Sequence, residues 1–396
     1  MHAVAPLLLM ILEALRYFTP GAATTPPRCT EVTFTVTATA EHYVWEGSPD
    51  PSDELDLVNY VKDSLSGGPA HVVEGSSTVS GTFEISGTFC EPYLPGDAIH
   101  VLEQKQATLA AANNSNILQI LLPGNTFHKG VWSCYGYAEK CNWQAYAASR
   151  EYYTLALDRL GTGKSTRPDD PIGTMQTAIQ IEITHQIIQT IRSGPGLPSA
   201  LNTKFDKIVV GGFSYGSLLG LALSRLYPDD ADAYVLTGYS GRLFMPAAVL
   251  LMHFIPARRV LQKPHFANLP LGYLTAATEG TSTNSLYHGA YDQELARLDW
   301  ENRDVVTPGE YASLSAAVGI SRYKGPVMVI SGDEDAIFCN TKFGTCADNL
   351  AAAKESFPEV DKFSYFVAPK TGHGILTHES APEVHAAVHD WLAEVI

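Results

Sequence analysis

Residues 207–223 read KIVVGGFSYGSLLGLAL, and this stretch decides the fold. It begins as a short apolar run, breaks at glycines around Ser214, and resumes with the periodicity of a helix. A serine on a sharp strand-to-helix turn lies in strained backbone, so the residues two before and two after it, Gly212 and Gly216, must lack side chains. The G-x-S-x-G spacing in this context predicts a nucleophilic serine. The alternative is a glycine-rich turn that only packs a helix closely.

Compact apolar runs that end in turn residues recur along the chain, as buried parallel strands do. They cover residues 116–124, 152–161, 207–213, 233–239, 325–335 and 363–373, after two β-rich stretches at 31–45 and 77–89. Helical patterns lie between them; in one, isoleucines recur every four positions, with Thr174 as the predicted cap and Gly194 at the end. Further helices are expected at 350–357 and 381–396. Strands that alternate with helices predict an α/β fold with a mostly parallel, doubly wound sheet.

The expected strand ends carry chemically useful residues. In open α/β sheets, ligands bind at the carboxyl ends of the strands. One strand ends at Pro123-Gly124-Asn125, one at Ser214, one at Gly332-Asp333-Glu334-Asp335, and the last at Gly372-His373-Gly374. A serine, an acid and a histidine are therefore expected on one edge of the sheet, in that chain order.

At these residues the chain resembles the α/β-hydrolase fold superfamily, from about residue 80 to the end. The resemblance rests on GGFSYGS, on DRLGTGKS after an earlier strand, on SGDED and on TGHG. In general pattern the chain looks like the secreted fungal hydrolases of this fold. The resemblance implies a triad with Ser214 as nucleophile, His373 as general base and Asp335 as acid. It also implies an oxyanion hole formed by the amides of Tyr215 and Asn125.

The chemistry of acyl transfer needs these residue types. A serine hydroxyl is a poor nucleophile until an imidazole takes its proton, and a carboxylate must hold that imidazole in one tautomer. Asp333 competes with Asp335 for the role of the acid, and the family spacing from Gly332 selects Asp335. His378 follows His373 and is expected to flank the last helix. Pro123 stands where many members of the family have histidine.

The alternation of strands and helices breaks over residues 241–315. This segment is apolar, rich in helix formers and too long for a normal connection. We expect a helical lid or cap, which divides the core into a first part (24–240) and a second part (316–396). An apolar lid would line the site of an acyl substrate, although core packing would explain any single residue equally. The lid candidates are Leu243, Phe244, Met245, Leu250, Leu251, Met252 and Phe254.

Residues 1–23 are predicted to be a signal peptide. Residues 3–12 form an apolar run of the right length, and small residues at 21–23 suit cleavage. No Lys or Arg precedes this run and Glu13 ends it, so an amphipathic N-terminal helix is the alternative. No run reaches the roughly 18 apolar residues that a membrane-spanning helix needs.

The even number of cysteines favours an oxidising compartment, and with it secretion. Their spacing is not that of a zinc site. The expected disulfides are Cys134–Cys141 and Cys339–Cys346, with Cys29–Cys90 as the remaining pair; six free thiols are the alternative. A glycosylation sequon begins at Asn113.

A net charge of -16 argues against nucleic acid and anionic membrane surfaces as partners. The loop GTGKS at 161–165 imitates a phosphate-binding loop, but Asp158 stands where that motif needs its first glycine. No cofactor and no metal are therefore expected, and the pattern is silent on oligomeric state.

A serine nucleophile leaves acyl-group chemistry. We expect an esterase or lactonase for a small apolar substrate, such as a secondary metabolite. One alternative is an exopeptidase of the prolyl-aminopeptidase type, which would need acids in the insertion to hold an amine; Glu279, Asp292 and Glu294 are the candidates. The other is a cyclase or a binding protein on the same fold.

Overall fold

The computed structural model describes residues 27–50, 52–66, 72–93, 116–137, 139–194, 196–244 and 253–396. The predicted signal peptide, the sequon at Asn113 and the lid candidates Met245, Leu250, Leu251 and Met252 lie outside these ranges. Within them, no helix is both long and apolar enough to cross a membrane.

Outside the predicted helical insertion, the strands occupy the positions that the apolar runs and the two β-rich stretches predict. They are β1 (Cys29–Trp45), β2 (Val73–Cys90), β3 (Ile117–Leu122), β4 (Tyr153–Leu157), β5 (Lys207–Phe213), β6 (Ala233–Thr237), β7 (Phe254–Pro256), β8 (Leu274–Ala276), β9 (Val327–Gly332) and β10 (Phe363–Ala368). In the described part of the chain, eight of them form one sheet in the order β1-β2-β4-β3-β5-β6-β9-β10. Every pair from β4 to β10 in this order is parallel. The predicted mostly parallel sheet is confirmed.

The first two strands form a long antiparallel hairpin at one edge of the sheet. Along β1, Val32, Phe34 and Val36 are buried while the threonines between them are exposed, as expected for a strand with one wet face. Cys29 lies opposite Cys90 in the register, and the two form a disulfide that closes the hairpin.

Helices cover both faces of the sheet. They are α1 (Glu54–Ser66), α2 (Trp143–Ser149), α3 (Thr177–Ser193), α4 (Tyr215–Leu226), α5 (Glu279–Leu286), α6 (Gln293–Glu301), α7 (Pro308–Ala312), α8 (Cys346–Ala351) and α9 (Ala381–Val395). Neighbouring residues of β5 pack on opposite faces of the sheet. Val210 lies in the hydrophobic cluster that contains α3 and α4, and Val209 lies in the cluster that contains α9. This division is the doubly wound arrangement that the strand–helix alternation predicts.

Helix α3 begins later than its sequence pattern predicts. Thr174 is not its cap; the helix begins at Thr177 after Gln176, which makes no capping hydrogen bond. The side chain of Gln176 instead binds the backbone of Tyr43 in β1. The tertiary contact to β1 replaces the local cap, while Gly194 ends the helix as predicted, with a positive φ of 84°.

The insertion is less helical than its composition predicts. Strands β7 and β8 pair antiparallel, and Leu274 of β8 also bridges to Val306. Three short helices, α5 to α7, follow β8. Prolines and short apolar runs favour short elements here, and such runs do not distinguish strand from helix by periodicity. The lid interpretation stays a prediction.

Acid should destabilise the fold through two buried histidines of α9. Burial lowers the pKa of His385 to about 3 and that of His389 to about 4. The unfolded chain therefore binds more protons than the native one once the pH falls below about 6.5, and native stability is lost in that direction. Each histidine should lower the free energy of unfolding by about 2 kcal/mol between about pH 7 and pH 5.

Urea unfolding of the wild type and of His385→Phe at several pH values measures this effect. The variant should show the shallower fall of unfolding free energy with acidification. If the unfolding free energy falls equally with pH in both proteins, His385 does not contribute to the loss of stability in acid.

Candidate active site

The turn at Ser214 has the geometry that its glycines predict. Ser214 follows β5 directly, immediately precedes α4 and has a φ of 54°, a left-handed conformation that is strained for a residue with a side chain. A Cβ on Gly212 would lie 2.4 Å from the carbonyl oxygen of Gly216. A Cβ on Gly216 would lie 2.1 Å from that of Leu122 in β3. Both positions therefore exclude a side chain, and the turn presents the partly exposed hydroxyl at the carboxyl edge of the sheet.

The structure brings the predicted serine, histidine and acid together. His373 Nε2 lies 2.8 Å from Ser214 Oγ, and His373 Nδ1 lies 2.8 Å from Asp335 Oδ2. The three residues come from the ends of β5, β9 and β10. Asp335 is fully buried and His373 nearly so. The arrangement is a continuous hydrogen-bonded chain from a buried carboxylate to a reachable hydroxyl.

Asp335 is held as a carboxylate by its neighbours. Burial alone would raise the pKa of this carboxyl, but the charge of His373 and hydrogen bonds from His373, Ser331 and the amide of Phe338 together lower it. Ser331 Oγ donates to Oδ2 at 2.6 Å, and the amide of Ile337 donates to Oδ1 at 2.9 Å. The acid is thus ionised and fixed in orientation.

Asp333, the competing acid, has a different position. Its residue is exposed, and its carboxylate accepts a hydrogen bond from the amide of Thr371 at 3.1 Å. It therefore contacts the backbone of the loop that carries His373, whereas Asp335 contacts the imidazole itself.

The two predicted oxyanion residues lie beside the serine. Tyr215 is the first residue of α4, so its amide has no acceptor inside the helix. Asn125 lines the same cavity as Ser214 and His373. Gly124 lies so close that a Cβ there would be 3.0 Å from the Cβ of Ser214. The strand end after β3 therefore passes close beside Ser214.

The cavity above the serine is apolar. It measures about 40 Å³ between its described walls, and about 480 Å³ when the open solvent at its mouth is included. Its apolar walls are Phe127, Leu218, Leu243, Leu314, Ile337 and Phe338. Of the described lid candidates, Leu243 lines this cavity, whereas Phe254 packs against Tyr311 in the core and the amide of Phe244 binds the carbonyl of Ile337.

His378 holds the loop that carries His373, a role that its sequence position does not reveal. Its Nδ1 lies 2.9 Å from the carbonyl oxygen of Gly374, and its Nε2 accepts from the amide of Gly372 at 3.1 Å. It thus binds the backbone on both sides of His373. Its carbonyl also accepts from the amide of Ala381 in α9, so the expectation that it flanks the last helix is correct but incomplete.

The insertion also braces this loop. The carbonyl of Leu286, at the end of α5, accepts from the amide of Gly374 at 2.9 Å, and the amide of Ala290 donates to Lys370. A Cβ on Gly372 would lie 2.5 Å from the carbonyl oxygen of Leu286. The position of His373 therefore depends on backbone contributed by the insertion.

All three expected disulfides are present, and Cys339–Cys346 lies next to the acid. The amide of Cys339 donates to the carbonyl of Asp335 at 2.8 Å. The sulfur of Cys346 lies 3.4 Å from the carbonyl oxygen of Gly332, the last residue of β9. The disulfide thus closes the loop that begins at the acid.

The loop that imitates a phosphate site uses its amides internally. The amide of Lys164 donates to Asp158 at 3.0 Å, and that of Gly163 donates to Asp304 at 2.6 Å. Two carboxylates occupy the place that a phosphate would need. Among the described residues, no cluster of three or more His, Cys, Asp or Glu side chains could hold a metal ion.

Comparison with known families identifies the chain. The model of the alpha/beta hydrolase family matches residues 119–388. The chain belongs to this family. A search of curated proteins finds no match.

The solved structures that resemble this chain include several hydrolases. An epoxide hydrolase from Vigna radiata has a TM-score of 0.50 at 12% identity, over 79% of this chain and 94% of that chain. An esterase from Thermogutta terrifontis has a TM-score of 0.47 at 17% identity, over 79% and 94%. A monoacylglycerol lipase from Paleococcus ferrophilus has a TM-score of 0.44 at 19% identity, over 70% and 95%. At these identities the likeness is one of fold and carries nothing about the substrate.

Asp335→Asn should lower kcat far more than Asp333→Asn. An amide at position 335 would favour the wrong tautomer of His373, whereas the change at 333 weakens one contact to the backbone of Thr371. We expect a loss of about 10⁴-fold for the first variant. Steady-state kinetics on an ester checks both, and equal losses would show that the assignment of the acid is wrong.

Removal of the Cys339–Cys346 disulfide should lower activity through the acid loop. The variant Cys339→Ala/Cys346→Ala should lose about 2–3 kcal/mol of stability in the chain-entropy picture, and also kcat, because the loop that begins at Asp335 is no longer closed. Cys134→Ala/Cys141→Ala is the matched control, since that disulfide has the same separation of 7 residues. It should lose similar stability and keep kcat. If both variants lose kcat equally at a temperature where both are folded, the link to the acid is wrong.

Proposed function

We propose that this alpha/beta hydrolase cleaves an ester or lactone of a small apolar substrate through Ser214, His373 and Asp335. The observation that carries the proposal is the hydrogen-bonded chain from Asp335 through His373 to Ser214 Oγ, with 2.8 Å at each step. Such a chain matches the requirement for an activated serine nucleophile.

The proposed reaction has two halves. Ser214 Oγ attacks the carbonyl carbon while its proton passes to His373 Nε2, and the tetrahedral intermediate then expels the alcohol, which takes that proton. Water next loses a proton to His373 and attacks the acyl-enzyme, and Ser214 recovers its proton as the acid leaves. Asp335 stays ionised throughout, because its role is to hold the tautomer and to stabilise the imidazolium.

The oxyanion of each intermediate needs donors that are already oriented. The amide of Tyr215 is free of helical hydrogen bonding by its position at the start of α4, and Asn125 follows the close approach of Gly124 to Ser214. We assign these two amides to the oxyanion hole. Loss of one such donor costs an enzyme of this type about 10²–10³ in kcat.

The cavity favours a neutral, apolar acyl group. Its described walls carry phenylalanine, leucine and isoleucine side chains. None of its described lining residues is Asp or Glu. Residues 245–252, which precede β7, contain no charged residue either. Apolar walls with few polar groups are typical of sites for small apolar ligands.

The same observation weighs against an aminopeptidase. That activity needs carboxylates to hold the amine of the substrate. Glu279 and Glu294 are exposed, and Asp292 caps α6 while it accepts from the hydroxyl of Tyr137. None of the three lines the cavity described above the serine. A cyclase or binding role stays a second candidate only through the shared fold.

We also propose that the protein is secreted. Three disulfides suit an oxidising compartment, as does the predicted signal peptide. Detection of the protein in culture medium, with an N-terminus beyond residue 23, tests this proposal.

Ser214→Ala should abolish hydrolysis and leave the fold intact. We expect kcat to fall about 10⁴–10⁶-fold, because the nucleophile is lost while the backbone of the turn is kept. The measurement compares p-nitrophenyl esters of short and medium chain length with amino-acid p-nitroanilides. Labelling by a fluorophosphonate should mark Ser214 in the wild type and nothing in the variant.

Ser217→Ala is the matched control for this experiment. Ser217 lies in the first turn of α4, the helix that Ser214 precedes. Its buried hydroxyl donates to the carbonyl of Thr237 instead of contacting His373. It should retain activity and labelling. If Ser214→Ala keeps more than about a tenth of wild-type kcat, or if only the anilides are cleaved, the proposed esterase is wrong.

A further inference from the structure

Arg159 makes five side-chain hydrogen bonds near the proposed oxyanion hole. Its side chain is 2% exposed. Its Nε donates to the carbonyl of Pro123 at 3.1 Å, and its Nη2 donates to the carbonyl of Gly124 at 3.2 Å and lies 3.4 Å from Asn125 Oδ1. One guanidinium therefore binds the whole strand end that follows β3.

The contact to Gly124 sets the direction of the Asn125 amide. The carbonyl of Gly124 and the N–H of Asn125 belong to the same planar trans peptide, so they point in opposite directions. When Arg159 holds the carbonyl, the N–H must point away from Arg159. That N–H is the donor which the proposed mechanism assigns to the oxyanion.

Arg159 also contacts the residue that supplies the other donor. Its guanidinium carbon lies 4.7 Å from the centre of the Tyr215 ring, a cation–π contact. The hydroxyl of Tyr215 in turn lies 2.9 Å from that of Thr177 in α3. A single side chain thus lies between the strand end at Asn125 and the start of helix α4.

The charge of Arg159 is balanced by a carboxylate at the end of the insertion. Its Nη1 binds Glu310 of α7, whose side chain is 1% exposed. Glu310 also accepts from Gln180 at 2.7 Å and forms a capping box with Thr307. The carboxylate is therefore fixed by two further groups and holds the guanidinium in one place.

We propose that Arg159 and Glu310 form a positioning pair that sets the geometry of the oxyanion hole. The proposal rests on the proposed function. Its physical basis is the planar fork of arginine, which binds two carbonyls and a carboxylate at once in fixed directions. A lysine at position 159 keeps the charge but offers a point donor on a flexible stem.

Arg159→Lys should therefore lower kcat by about 10²-fold with little change in KM, since the donor acts on the transition state more than on the bound ester. Inhibition by a trifluoromethyl ketone should weaken in parallel, because its adduct with Ser214 carries an oxyanion. A residue needed only for folding would not move this affinity in a folded protein.

Arg167→Lys is the matched control. Arg167 also binds a carbonyl, that of Gly161, and a carboxylate, that of Asp304, but touches neither Asn125 nor Tyr215. It should keep both kcat and inhibitor affinity. Arg159→Met/Glu310→Met is the second test variant, because removal of both charges leaves no unpaired buried ion.

The outcomes separate this proposal from the proposed function. Folded test variants with wild-type kcat and inhibitor affinity, or with a raised KM alone, would overturn the positioning role. An ester-inactive wild type would instead overturn the proposed function. In that case a crystal structure of the double variant still tests the positioning role. The Gly124–Asn125 peptide should have rotated in the variant. An unchanged peptide would show that Arg159 and Glu310 do not set its orientation.

Discussion

The close approach of backbone to backbone at the carboxyl edge of the sheet is the constraint on which the rest of the site depends. At Gly216 a Cβ would lie 2.1 Å from the carbonyl oxygen of Leu122, and at Gly332 it would lie 1.9 Å from that of Thr371. The first contact places the turn at Ser214 against β3, and the second places the end of β9 against the loop of His373. Only because these positions lack side chains do three separate strand ends meet within hydrogen-bonding distance.

Charged side chains are buried around the site, and the fold satisfies each of them locally. Asp335 accepts hydrogen bonds from Ser331, His373 and the amides that follow it, so its ionised form is stable without water. Arg159 and Glu310 neutralise each other beside the strand end that carries Asn125. A buried charge is costly unless it is paired and hydrogen-bonded, and here each charge is both. The groups beside the serine are consequently held in place in advance, as the proposed mechanism requires.

The insertion contacts the site mainly through backbone groups and through Glu310, and less through the apolar side chains that suggested a lid. Its apolar residues suggested a helical lid, yet the described part contains the β7–β8 pair and short helices. Leu286 and Ala290 bind the loop of His373, and α7, at the end of the insertion, supplies Glu310. Periodicity could not predict these contacts, because a carbonyl that braces a distant loop leaves no mark on the pattern of side chains.

The sequence by itself determined the strands of the main sheet, the glycine-flanked turn at Ser214 and the meeting of serine, acid and histidine at one edge, because each rests on patterns that span a few residues. Spacing within SGDED also selected the acid that contacts the imidazole. Only the tertiary structure decided that Gln176 and not Thr174 precedes α3, that His378 binds both sides of His373, and that Arg159 meets Glu310 from 151 residues away. The physical reason is the separation along the chain between the residues that interact. Local patterns encode backbone conformation, whereas partners far apart in the chain are chosen by how the packed elements bring their side chains together.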